Sequence, residues 1–132
     1  MNNNTFNLAL QNYKNNKLDV AEDLCNEILK NNSNHFDSIF LLGTIFTQKK
    51  NFYVAKKLLK KANQINPNHL PTLNNLGMVF QGLGEYQKAV NCYEKAIQIQ
   101  KNNAFVYNNL ANSLKELGKI KEAINCYEKA IQ

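Results

Sequence analysis

The chain repeats itself every 34 residues. Ala21, Ala55, Ala89 and Ala123 fall at that spacing, as do Leu8, Leu42, Leu76 and Leu110 and the small residues Ala9, Gly43, Gly77 and Ala111. A fixed period of this length describes one supersecondary unit, too small to bury its own apolar face and stacked so that each copy covers the next. Four copies, residues 2–35, 36–69, 70–103 and 104–132, account for the sequence. The expectation is a single domain over residues 1–132, with function on the surface of a stack.

Each copy reads as two helices. In residues 70–103, Leu73, Leu76, Gly77 and Phe80 keep a three-four spacing, and Tyr86, Ala89, Val90, Tyr93, Ala96 and Ile97 resume it after a break. The break falls at Gly84, and at Gly118 one copy later, where a left-handed residue can end one helix and reverse the chain. Asn16 suits that role in the first copy; Lys50 is expected either to be strained there or to follow a different turn. Asn31-Asn32-Ser33-Asn34 and Asn66-Pro67-Asn68 stop the second helices. His35 and His69, one period apart at the junctions, read as loop or helix-capping residues. The small residues mark close helix crossings: Gly77 is expected to face Ala89, and Ala111 to face Ala123, with Phe80, Tyr93, Leu110 and Tyr127 filling the space around them.

Composition narrows the function classes. No apolar run approaches the ~18 residues that span a bilayer, and the opening MNNNTFN lacks the regions of a signal peptide. A cytoplasmic protein without membrane association is expected. All 16 basic residues are Lys, and the net charge of +6 is uneven: residues 36–69 hold six Lys and one Asp, or +5, while residues 2–35 hold three Lys and four acids, or −1. The run Lys49, Lys50, Lys56, Lys57, Lys60 and Lys61 reads as a solvated face. Nucleic acid is a distant alternative for it, since there is no Arg for bidentate phosphate contact and no aromatic platform. Cys25, Cys92 and Cys126 read as reduced, small core residues, Cys92 and Cys126 being one helix-packing distance of about 8–10 Å apart, too far for a disulfide. No cluster has the spacing of a catalytic or metal site, so no enzyme activity, metal or cofactor is expected.

The recurrence of leucine, small residue, turn glycine and alanine in LNNLGMVFQGLGEYQKAVNCYEKAIQI and YNNLANSLKELGKIKEAINCYEKAIQ resembles the tetratricopeptide repeat. The two copies agree at 14 of 29 aligned positions and share NCYEKAIQ unchanged. The resemblance implies an all-α, right-handed superhelical solenoid of four helix-turn-helix repeats with eight antiparallel-paired helices. It implies a non-enzymatic interaction module that holds an extended peptide or a partner helix in a concave groove.

In that family the first helix of each pair lines the groove, so the resemblance points to Asn7, Phe40, Thr44, Asn74, Asn75, Gln81, Phe105, Asn108, Asn109 and Asn112. Asn7, Asn75 and Asn109 are similar to the asparagine ladder of O-linked N-acetylglucosamine transferases, where amides hold a polypeptide main chain. An amide offers a donor and an acceptor together, as a peptide backbone does. Leu41 breaks the ladder in the second copy, and the abundance of Asn, 24 residues in all, supplies a purely compositional reading beside it. Of the positions that would form the family's carboxylate clamp, only Asn75 matches. The opening is also similar to bacterial proteins in which such repeats precede a transferase domain. The alternative function is therefore a substrate-recruiting segment of a larger enzyme such as a glycosyltransferase.

Thr5, Asn12 and Cys25 stand where apolar or aromatic residues are usual, which makes the first copy a polar cap. At the other end Leu114, Ile124 and Tyr127 have no following helix in the sequence to cover them. That face calls for further chain or for self-association.

Overall fold

A computed structural model of the chain describes residues 2–132. Among the described residues there are eight helices and no strand: α1 (Asn2–Lys14), α2 (Leu18–Asn31), α3 (Phe36–Gln48), α4 (Phe52–Ile65), α5 (Leu70–Gly82), α6 (Tyr86–Ile99), α7 (Ala104–Glu116) and α8 (Ile120–Ile131). They form two compact units, one ending at Pro67 and one beginning at Asn68. In the first unit α1 packs on α2, α3 on α4, and α3 also touches α1 and α2. In the second, α5 packs on α6 and α7 on α8, with α7 also against α5 and α6.

The three-residue turns within the helix pairs share one construction. Asn16 and Lys50 take φ of 60° and 61°, Gly84 and Gly118 take 75° and 80°. In each turn the left-handed residue donates its N–H three residues back and the next residue donates five back. Gly84 N–H reaches Gln81 O at 3.0 Å and Glu85 N–H reaches Phe80 O at 2.8 Å. Lys50 N–H reaches Thr47 O at 3.0 Å and Asn51 N–H reaches Phe46 O at 2.9 Å. These bonds satisfy carbonyls that a helix end otherwise leaves open. Of the two expectations for Lys50, the different turn does not hold: the lysine accepts the left-handed conformation, which costs an L-residue roughly 1–2 kcal/mol, because the same pair of hydrogen bonds requires it.

The first helices are capped at one repeated position. His35 Nδ1 accepts from Ser38 N–H at 3.2 Å, His69 Nδ1 accepts from Thr72 N–H at 3.3 Å, and Asn103 Oδ1 accepts from Val106 N–H at 3.3 Å. The imidazoles also lie 2.7 Å from the hydroxyls of Ser38 and Thr72, both fully buried. The two histidines are thus capping residues, as their junction positions suggest.

Small residues do admit close packing, but against different partners than the spacing indicates. A Cβ on Gly77 would lie 2.5 Å from Tyr93 Cε1, and one on Gly43 would lie 2.8 Å from Leu59 Cδ2. The nearest neighbour of Gly77 is therefore Tyr93, one turn beyond Ala89, because a long helical side chain leans toward the N-terminal turn and covers the spot before its own Cα. Ala9 and Cys25, separated in sequence as those pairs are, share the first unit's core with Leu41, Leu42 and Ile45. Leu8 departs from the pattern: Leu42, Leu76 and Leu110 are buried, but Leu8 is 50% exposed because no helix packs on that side of α1 among the described residues. The cysteines also divide. Cys25 is buried, whereas Cys92 and Cys126 are only half-buried at the edges of α6 and α8, and all three are free.

Candidate functional site

The groove residues expected from the sequence lie on the first helix of each pair, α1, α3, α5 and α7, and their surroundings differ between the units. In the first unit Asn7 on α1 is exposed. Phe40 on α3 is half-buried and stacks on Phe36, with ring centroids 6.3 Å apart and planes 8° from parallel. Thr44 donates its hydroxyl to Phe40 O at 2.9 Å and so is engaged by its own helix. Leu41, where the amide series breaks, is a core residue.

The second unit brings seven of the expected residues onto the neighbouring helices α5 and α7. Two of them have structural duties. Gln81 Oε1 accepts the hydroxyl of buried Tyr93 at 2.5 Å, and its Nε2 donates to Asn109 O at 3.2 Å, tying α5 to α6 and α7. Asn112 Oδ1 accepts the hydroxyl of Tyr127. Phe105 and Asn108 are exposed, while Asn74, Asn75 and Asn109 are half-buried. Within this group Asn74 Oδ1 on α5 and Asn109 Nδ2 on α7 are shielded from water and meet no hydrogen-bond partner. An unmet buried polar atom costs about 1–3 kcal/mol. One acceptor and one donor thus stand unsatisfied on adjacent first helices.

Three of the six lysines of the run make local contacts. Lys49 bridges to Asp19 at 2.6 Å and to Glu22 at 2.9 Å, joining the second turn to α2. Those contacts, chiefly the hydrogen bond from Lys49, hold the Asp19 carboxyl below its ordinary range. Lys61 Nζ donates to Ser33 O at 2.7 Å, and Lys56 Nζ lies 5.8 Å from the Tyr53 ring centroid. Burial pushes the thiols up, to about 12 for Cys25 and about 11 for Cys92, with Cys126 also raised. Thiols so shifted are protonated at neutral pH and poor nucleophiles.

Sequence reasoning did not anticipate an open cleft of about 420 Å³ between α6, α7 and α8, bordered among others by Val90, Glu94, Tyr107, Leu110 and Glu122. None of the expected groove residues borders it. Its repeat-to-repeat origin is visible only once α6 and α8 are known to flank α7. Among the described residues no three His, Cys, Asp or Glu side chains group as metal ligands, and no helix is long and apolar enough to cross a membrane.

Comparison with known proteins gives two family matches. A tetratricopeptide repeat model matches residues 70–132, and a model of anaphase-promoting complex (cyclosome) subunit 3 matches residues 11–96. Among solved structures, a portion of MamA from Desulfovibrio magneticus RS-1 superposes with a TM-score of 0.94 at 16% identity, covering 99% of this chain and 74% of that one. MamA MSR-1 gives 0.87 at 22% identity, covering 96% and 72%. MamA AMB-1 gives 0.87 at 23% identity, covering 96% and 69%. At these identities the superpositions establish a shared fold and nothing more. Among curated proteins no significant relative is found.

Proposed function

This chain belongs to the tetratricopeptide repeat family, a family of protein-interaction scaffolds, and from that premise we propose that it holds an extended peptide against the first helices of its second unit. The observation that carries the reading is the unmet pair Asn74 Oδ1 and Asn109 Nδ2. A peptide main chain presents N–H and C=O groups in alternation, so it supplies a donor to the first atom and an acceptor to the second. Both residues are half-buried, so rotation of either side chain brings its unmet atom to a main chain lying on these helices, and meeting a group left unsatisfied in the free protein is a condition under which polar contacts add affinity. Phe105, 54% exposed beside them, offers an apolar surface for one peptide side chain. Contacts to the main chain discriminate weakly among peptide sequences. The reading is of a non-enzymatic binder tolerant of sequence.

The test is capture from a displayed library of unstructured peptides, comparing the parent with Asn74→Ala and Asn109→Ala. Each substitution should weaken capture about tenfold, the worth of one hydrogen bond in a dry setting. Thermal stability should stay level or rise, because an unsatisfied buried group is removed. Unchanged capture would return both amides to composition.

A further inference from the structure

The third and fourth copies present the same apolar positions on their second helices, and only one set is covered. Tyr86, Val90, Tyr93 and Ile97 on α6 are buried or half-buried, α6 packing on both α5 and α7. Their counterparts one period on are Ile120, Ile124, Tyr127 and Ile131 of α8, which packs on α7 alone among the described residues. Val90 is 3% exposed where Ile124 is 51%, and Ile131 is 86% exposed. The fourth copy therefore carries an apolar stripe shaped to receive a helix.

We infer that this stripe is the contact surface for a second copy of the same chain, joined antiparallel about a two-fold axis. The spacing of the stripe permits a copy of α8 as partner, and its charges favour that copy over an unrelated helix. The stripe is spaced 4-3-4, so it reads alike from either end. Antiparallel alignment sets Ile120 against Ile131 of the second copy and Ile124 against its Tyr127. The charges also match. Lys121 and Glu128 are both exposed and, seven residues apart, lie along one edge of the stripe at 100° per residue. A two-fold axis brings that edge against the same edge of the other copy. At 1.5 Å rise per residue, each Lys121 then stands about 3 Å along the axis from Glu128 opposite, while like charges are farther apart. The polar outer face of α1, with Asn4, Thr5 and Asn12 beside Leu8, is a poorer complement, which disfavours a head-to-tail chain.

The experiment is sedimentation velocity of the 132-residue chain over a range of concentration. The parent should move from monomer to dimer and no further, because a two-fold contact closes on itself. Ile124→Asp should raise the dissociation constant at least tenfold with its helical circular dichroism intact. Lys121→Glu and Glu128→Lys should each weaken the dimer several-fold, since each places like charges across the edge. An equimolar mixture of those two single variants should recover dimer, because only the mixed pair has opposite charges at both edge contacts. A parent that is monomeric at every concentration, including one whose α8 is covered by other chain, overturns the inference. Association that continues beyond dimer, or that ignores both charge variants and their mixture, overturns it equally.

Discussion

The third and fourth copies, nearly the same in sequence, differ in how they hold one tyrosine. In the third, Gly77 leaves a notch, the Tyr93 ring lies in it fully buried, and its hydroxyl reaches Gln81. In the fourth, Ala111 fills the notch with a methyl, Tyr127 is only half-buried, and its hydroxyl turns to Asn112. Position 112 is one turn nearer the start of its helix than the counterpart of Gln81. Two substitutions accompany the change: the methyl of Ala111 occupies the notch, and Lys115 stands where Gln81 does and offers the phenol no acceptor. Burial in this chain is decided by what a neighbour leaves open, not by the side chain alone.

The contrast can be broken most strongly at Gly77. Gly77→Ala places a Cβ 2.5 Å from the Tyr93 ring and should cost about 1–3 kcal/mol, with Gly77→Leu costing more, read as a fall in the urea midpoint. The thiols test the same contrast by chemistry, since Cys92 and Cys126 sit in identical local sequence. At pH 8 and in native protein, alkylation should be slowest at Cys25 and roughly tenfold faster at Cys92, following their thiolate fractions. Cys126, less enclosed, should react fastest; equal rates at Cys92 and Cys126 would mean that α8 is covered as α6 is. Next is the phenol. Tyr93→Phe strands Gln81 Oε1 and should cost about 1 kcal/mol in chemical denaturation, whereas Tyr127→Phe should cost less than about half of that.

Two smaller effects belong to the first unit. Lys50→Gly relieves the left-handed strain but adds unfolded-state freedom, so a net gain of about 0.5–1 kcal/mol is expected in thermal melts; the same exchange into a right-handed position would destabilise. Lys49 lowers the Asp19 carboxyl below its unfolded value. That pairing stabilises above the ordinary carboxylate range and is lost as pH falls through the lowered folded value. Asp19→Asn should therefore flatten the acid side of the stability profile slightly while leaving the alkaline side unchanged, the group being exposed and screened.

Much of the fold is legible in the sequence because its signals are local. Periodicity marks each helix, Gly84 and Gly118 mark turns, and His35 and His69 stand where a cap is needed. Less legible is what depends on a second surface. Leu8 matches the buried leucines letter for letter, but no helix among the described residues covers it. Gly77 meets Tyr93 rather than Ala89 because side chains lean along the helix, which spacing alone does not convey. Among the candidate site residues, Gln81 and Asn112 share residue type with the other amides, but are engaged by tyrosines from the paired helix. Nothing in the sequence separates them from Asn74 and Asn109, whose unmet atoms appear only when the surroundings are in place.

The notch and the side chain that fills it, Gly43 with Leu59 and Gly77 with Tyr93, always come from the two helices of one copy. A gene segment that is copied in tandem therefore carries lock and key together, and the new copy keeps its internal fit whatever stands beside it. Exchange between copies that cuts inside a unit would separate them, setting a tyrosine made for glycine against alanine. The positions where such an array can be lengthened without repair are for that reason the junctions between copies.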